Sequence, residues 1–299
     1  MHEILHVLWH SLEHAFLETL KLLPFLFLTY LLMEFLEHRS GNASKNWLRR
    51  SGHVGPLIGG ALGMLPQCGF SAAASGLYTG RIITTGTLLA VYLSTSDEML
   101  PLLISEGAPL PLILKLLGTK LVIGILAGFA VDLMARLLRK KRNEEEPQPQ
   151  IEEMCERENC NCEDHFAISA LKHTLQIALF IFIFTFLMHL IIDLIGEDTL
   201  ASLILDRPIL ANCITALLGL IPNCAPSVVL TQLYLNGLLS SGALLSGLLV
   251  NAGIGTAILF KNNRPVKDTL RVIGLLLGIG LLAGIIIDLT PLASFLSLQ

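Results

Sequence analysis

With 299 residues, 53% of them hydrophobic and only 15% charged, the chain is far more apolar than a soluble domain, where about a quarter of residues are charged; it reads as a membrane protein. The net charge of -4 is small, and Lys and Arg sit at segment ends rather than in a stripe, which excludes nucleic-acid binding and leaves them as topology markers. The six cysteines, at 68, 155, 160, 162, 213 and 224, are too sparse for a disulfide-stapled secreted domain and point to thiol ligands.

No Lys or Arg precedes the first apolar region, so a cleaved signal is not expected. His2, His6, His10 and His14 recur every four residues and stack on one helical face near Glu3 and Glu13. That face could collect metal, with His6 and His10 foremost, or serve as a wet amphipathic lead-in. The same residues fit H-E-x-x-H (His2 to His6) and its inverted form (His10 to His14), which makes an intramembrane zinc peptidase a remote alternative. Such an enzyme needs a buried helix, a third ligand and a shielded Glu, and a motif beginning at residue 2 has little around it.

Stretches long enough to cross about 30 Å of hydrocarbon, roughly 20 residues each, lie near 15–36, 83–104, 115–138, 170–195, 239–260 and 269–289. Two more apolar segments, 54–79 and 209–236, are interrupted at Pro66-Gln67-Cys68-Gly69 and at Pro222-Asn223-Cys224-Ala225-Pro226. Between the halves, Arg139 to Asp164 is a run of Arg, Lys, Glu, Pro and Gln without apolar periodicity, a solvated linker. The chain therefore divides into a first transmembrane repeat (1–138), a cytoplasmic Cys/Glu-rich linker (139–165) and a second repeat (166–299).

The halves match residue by residue. Pro66 pairs with Pro222, an offset of 222 − 66 = 156, and the same offset pairs Cys68 with Cys224, Ser71 with Ser227, Tyr78 with Tyr234, Gly86 with Gly242, Gly118 with Gly274, Ala127-Gly128 with Ala283-Gly284 and Asp132 with Asp288.

Basic residues place loops 39–53, 136–142 and 261–271 in the cytoplasm, and the acidic or neutral loops 105–111 and 196–206 outside. An odd number of crossings must then separate 39–53 from 105–111, yet two apolar segments intervene, so one does not cross. The broken segment 54–79 is expected to be a re-entrant hairpin whose arms of about 12 residues reach about 18 Å, near the midplane. Segment 209–236 should descend equally from the other side. The expected fold is an all-α polytopic membrane protein with two inverted-topology repeats, each of three transmembrane helices and one broken hairpin, with both termini outside.

Non-helical backbone in lipid needs protein or a wet cavity around it, so the two tips are expected to meet at a substrate site. Each offers a helix-breaking Pro (Pro66, Pro222), an amide (Gln67, Asn223), a thiol (Cys68, Cys224) and a hydroxyl (Ser71, Ser227). Asp97 and Glu98 fall half way along the following helix, and an ionisable residue at that depth is costly enough to imply a function; the alternative is a helix end placed at the surface. Asn251, in Asn251-Ala252-Gly253-Ile254-Gly255, holds the corresponding region of the second half and offers a carbonyl oxygen. Thiols, carboxylates and amide oxygens suit a divalent transition metal without naming it. The alternative for one cysteine alone is helix packing, but paired placement after both prolines favours a site. Asp132, Asp288 and Cys213 read as structural or gating at most. Cys155, Cys160, Cys162 and His165 in the linker could hold a thiophilic ion or be incidental to a tether.

The repeated G-x-x-P-[QN]-C-x-x-S, Gly63 to Ser71 and Gly219 to Ser227, with the Cys/His-containing linker, resembles the ten-helix heavy-metal exporter family, also labelled manganese transporters, over nearly the whole chain. Six spans and four hairpin arms make ten helices. The resemblance implies metal efflux, with more distant similarity to arsenic permeases. No G-x-x-x-x-G-K-[ST] occurs, so no ATP site is expected. The expectation is a non-enzymatic secondary-active exporter of a divalent transition or heavy-metal ion (Mn, Zn or Cd class) in the inner membrane. It is proton-coupled, has no cofactor, and takes the ion as substrate and the lipid bilayer as surroundings; a homodimer is compatible with it. The runner-up is an arsenite or small-anion permease, with the anion at the half-helix N-termini.

Overall fold

The computed structural model describes residues 54–65, 68–142, 166–195 and 208–296, together with 9, 12–13, 15–17, 19–24, 26–28 and 31. All regular structure among them is helical. The described residues between 9 and 31 form α1; α2 is Val54–Gly63, α3 Cys68–Thr79, α4 Thr85–Ser94, α5 Met99–Ser105, α6 Leu110–Arg142 and α7 Phe166–Ile195. The second half continues with α8 Pro208–Gly219, α9 Ala225–Leu235, α10 Ser241–Val250, α11 Gly255–Asn262, α12 Val266–Leu289 and the short α13 Leu292–Phe295.

Four helical stretches among the described residues are long and apolar enough to cross a membrane: Thr85–Ser105, Leu110–Arg139, Ser241–Asn262 and Val266–Leu289. They differ in what they face. Leu110, Leu114, Val122, Leu126, Phe129, Leu133 and Leu137 leave an exposed apolar stripe down α6, and Leu171, Leu175, Leu179, Ile183 and Leu187 do so at every fourth residue of α7. Such stripes would be untenable in water and are the surface expected against lipid. Thr85–Ser105 and Ser241–Asn262 are instead largely enclosed by the other helices. Both are interrupted at their centres: α4 stops at Ser94 and α5 starts at Met99, while α10 stops at Val250 and α11 starts at Gly255.

The packing that frames these two helices recurs at the repeat offset. Asp132 on α6 accepts the Gly86 amide on Oδ1 (2.8 Å) and the Thr84 hydroxyl on Oδ2 (2.6 Å). Asp288 on α12 likewise accepts the Gly242 amide on Oδ1 and the Ser240 hydroxyl on Oδ2, each at 2.9 Å. Thr84 and Ser240 in turn accept from the amides of Thr87 and Ala243, a side-chain N-cap on each helix. An acidic group beside a helix N-terminus is also favoured by the macrodipole, so both aspartates brace a helix start, which fits the structural-or-gating role expected from sequence. Glycine makes the close crossing possible: a Cβ at Gly86 would stand 2.1 Å from the Gly128 carbonyl oxygen, and one at Gly242 2.3 Å from that of Gly284.

Helix α2 runs alongside α4 in the same direction, with Gly55 and Gly59 beside Thr87 and Gly63 beside Val91 and Ser94. Helix α3 runs the opposite way, with Tyr78 at Thr85 and Ser75 at Tyr92. The α2–α3 turn therefore lies next to the α4 break, where Ser96 Oγ donates to the Met64 carbonyl (2.8 Å). Pro66 and Gln67 at its tip lie outside the described residues. In the second half, Gly219 at the end of α8 sits against Gly247 and the Asn251 amide, so this turn too abuts a helix break. At one end of the molecule Arg81 is paired with Asp268 (2.9 Å) and donates to the Arg264 carbonyl, and Arg136 and Arg139 lie close to Asp132. The basic loops 136–142 and 261–271 thus gather with Arg81 on a common side.

Candidate functional site

The site is built where helices stop. After Ser94 the backbone leaves α4 and passes through Asp97 at φ 36° before α5; after Val250 it passes through Gly253 at φ 53° before α11. These left-handed residues stand 156 apart, the repeat offset. Left-handed backbone costs an ordinary L-residue roughly 1–2 kcal/mol, with Gly exempt and Asp among the better tolerated. Both halves therefore open the same helix at the same residue, one with a carboxylate and the other with no side chain.

The two breaks face each other. A Cβ at Gly253 would lie 3.3 Å from Asp97 Oδ2 and 3.7 Å from Cys68 Sγ. The first turn, the first break and the second break thus meet around one small space, lined by a thiol, a carboxylate and bare backbone. Asp97 is 3% exposed, which puts it in the interior rather than at a helix end on the surface. Its neighbour Glu98 is half-buried and precedes α5 without capping it through its side chain. Packing across the halves holds this arrangement. Ser75 Oγ donates to the Gly255 carbonyl (2.8 Å) and is bonded to the Tyr92 hydroxyl (2.6 Å), and a Cβ at Gly255 would press on Ser71, so α11 lies directly against α3. Helix α9 packs on α5 in the corresponding way.

The polar residues of the turns divide by role. Ser71 and Ser227 each donate their hydroxyl to the carbonyl of the cysteine three residues earlier, at 2.9 and 2.7 Å, which closes the first turns of α3 and α9. Asn223 Oδ1 accepts from the Cys224 amide (2.5 Å) and thiol (3.1 Å), and Asn251 Oδ1 accepts from the Gly253 amide (3.1 Å). Each of these oxygens thus also braces the backbone of its own turn. The NH2 group of each is buried and without a hydrogen-bond acceptor in the protein, on side chains 4% and 1% exposed. Cys68, Cys213 and Cys224 are half-buried and none is disulfide-bonded. Among the described residues no three of His, Cys, Asp and Glu come together as a metal cluster. The accessory groups His6, His10, Cys155, Cys160, Cys162 and His165 lie outside the described residues, as do His2 and His14.

Sequence reasoning passed over Lys120. It is 1% exposed, and its ammonium donates to the Thr95 carbonyl at the first break and, at 2.8 Å, to the Leu248 carbonyl of α10. The Asp97 carboxylate acts on it electrostatically. The available signal was a Lys inside the apolar stretch 115–138, away from its ends, since an ionisable residue at such a depth carries a function by default.

A family model described as "Putative, 10TM heavy-metal exporter" matches residues 3–181 and 161–298. No curated protein and no solved structure matches the chain. The all-helical architecture, its apolar membrane-length helices and this match agree, and they make a transporter rather than an enzyme the coarse description. The chain belongs to the family of ten-transmembrane heavy-metal exporters.

Proposed function

We propose that the protein is a secondary-active exporter of a divalent transition or heavy-metal ion, of the Mn, Zn or Cd class, working by alternating access between two inverted repeats. The observation that carries this reading is the meeting of Cys68 Sγ and the Asp97 carboxylate at Gly253, where both central helices are open. A thiolate and a carboxylate suit a borderline or soft divalent ion. Broken helices facing one another near mid-membrane are the usual seat of substrate in repeat-built transporters. The opposite directions of α2 and α3 support a re-entrant hairpin, and the gathering of Arg81, Arg136, Arg139 and Arg264 supports a cytoplasmic location for that end. The termini then lie outside and the linker 139–165 inside.

In this mechanism Cys68 and Asp97 hold the ion, with Cys224 and Glu98 completing the site as the repeats rock. Metal ligands must be deprotonated, so binding releases protons from the thiol and from Asp97 or Glu98, which couples efflux to inward proton flow. The test is titration of the purified protein with manganese, zinc, cadmium and arsenite, wild type against Cys68→Ser/Cys224→Ser. Loss of binding in the double variant supports the site, and retention moves it to the histidine face or linker. Transport in proteoliposomes that neither needs a proton gradient nor moves protons removes the coupling.

A second reading, an arsenite or small-anion permease, is favoured by the unpartnered amide donors of Asn223 and Asn251. N–H groups seek oxygen on the substrate, and the starts of α3, α9 and α11 add positive dipole ends. Binding of arsenite with no divalent metal selects it.

A further inference from the structure

Lys120 lies on a helix whose outer face is apolar, yet its ammonium is turned fully inward. Its two acceptors come from different halves, each at the C-terminal end of a central helix. Thr95 is the C-cap of α4, and Leu248 lies in the last turn of α10. Carbonyls at a helix C-terminus have lost the amide that would follow in a continuous helix and carry the negative end of the macrodipole. At the first break the loss is visible: the Met99 amide, which a continuous helix would aim at Thr95, bonds to Ser96 instead (3.1 Å). Two such carbonyls with the Asp97 carboxylate nearby form an all-oxygen set of the kind that unwound transporter helices present to a hard monovalent cation.

We propose that this is a small-cation site occupied in this chain by the tethered ammonium of Lys120, which removes any need for a free ion such as Na+ to join the two halves at their breaks. The repeat supports the substitution. At the positions 156 residues after Lys120 and Asp97 stand Leu276 and Gly253, so the charge and its counter-charge occur together in one half and are absent together from the other. The ammonium is a fixed structural cation, distinct from the transported species, and the inference stands whichever substrate the exporter carries.

The test uses the full chain in detergent with no heavy metal present, so its outcome is independent of the export reading. Thermal melting is compared in chloride salts of lithium, sodium, potassium and N-methylglucamine at equal ionic strength. Wild type and Lys120→Arg are expected to melt alike in all four. Lys120→Met is expected to melt lower in N-methylglucamine and to regain stability saturably with one of the small cations, by about 3 °C at concentrations well above its Kd. A monodisperse Lys120→Met whose melting is indifferent to all four salts overturns the proposal. If that variant is unrecoverable in every salt, Asp97→Asn/Lys120→Met, which removes both charges, replaces it. The proposal expects the double variant to be recovered and insensitive to cation; a persisting sodium-specific shift overturns it.

Discussion

Gly253→Ala separates the chemistry of the site from the cost of its backbone. Gly253 and Gly237 both have positive φ, 53° and 71°, so alanine at either should cost about 1–2 kcal/mol of stability through the left-handed conformation. The surroundings differ. Nothing lies within 4 Å of a Cβ at Gly237, whereas one at Gly253 stands 3.3 Å from Asp97 Oδ2 and 3.7 Å from Cys68 Sγ. A methyl group there occupies the space in which an ion would touch both ligands, typically at about 2.0–2.3 Å from each for zinc. The two variants are therefore expected to melt within about 1 kcal/mol of each other. Gly253→Ala should lose at least about tenfold in metal affinity, a factor equal to about 1.4 kcal/mol, while Gly237→Ala binds as wild type does. Calorimetric titration beside thermal melting measures both quantities on the same samples. Equal affinities for the two variants would show that the ion does not sit between Cys68 and Asp97.

Three further outcomes are expected. Asp132→Ala removes two hydrogen bonds to a carboxylate, from Gly86 and Thr84, at about 1.5–3 kcal/mol each; a melting temperature unchanged in detergent would refute the capping role. Gly86→Ala drives a methyl into the Gly128 carbonyl oxygen at 2.1 Å, where backbone must move. It should cost more than about 3 kcal/mol, at or above the upper range for overpacking, and full retention of folded yield would contradict it. Asp268→Ala frees Arg81, Tyr78 and Asn263 together. Because the pair is only about one-fifth exposed on each side, the loss should cost at least about 1.5–3 kcal/mol of stability, and hydrogen exchange should rise at residues 78–86, where this contact ties the halves together; an unchanged melting temperature would refute it.

Much of the fold was legible because lipid is a strict solvent. Every spanning segment must be apolar and internally hydrogen-bonded, so the spans and the two broken segments stand out in composition. Gene-level repetition at a constant 156 residues then made each half a check on the other. Asp97 was legible for the same reason, since a carboxylate in an apolar stretch has a cost that something must offset. Lys120 obeys the same rule and escaped attention only because no motif surrounds it.

The sequence by itself determined the membrane class, the paired helix breaks and the residue types gathered at them, because periodicity and hydropathy are local properties. Tertiary structure alone decided how those residues are used. Cys68 meets Asp97 through a glycine of the other half, and Lys120 spans two carbonyls far apart in the chain. Those pairings depend on how the halves pack, and a pattern read along one chain carries no distance between residues more than a hundred positions apart.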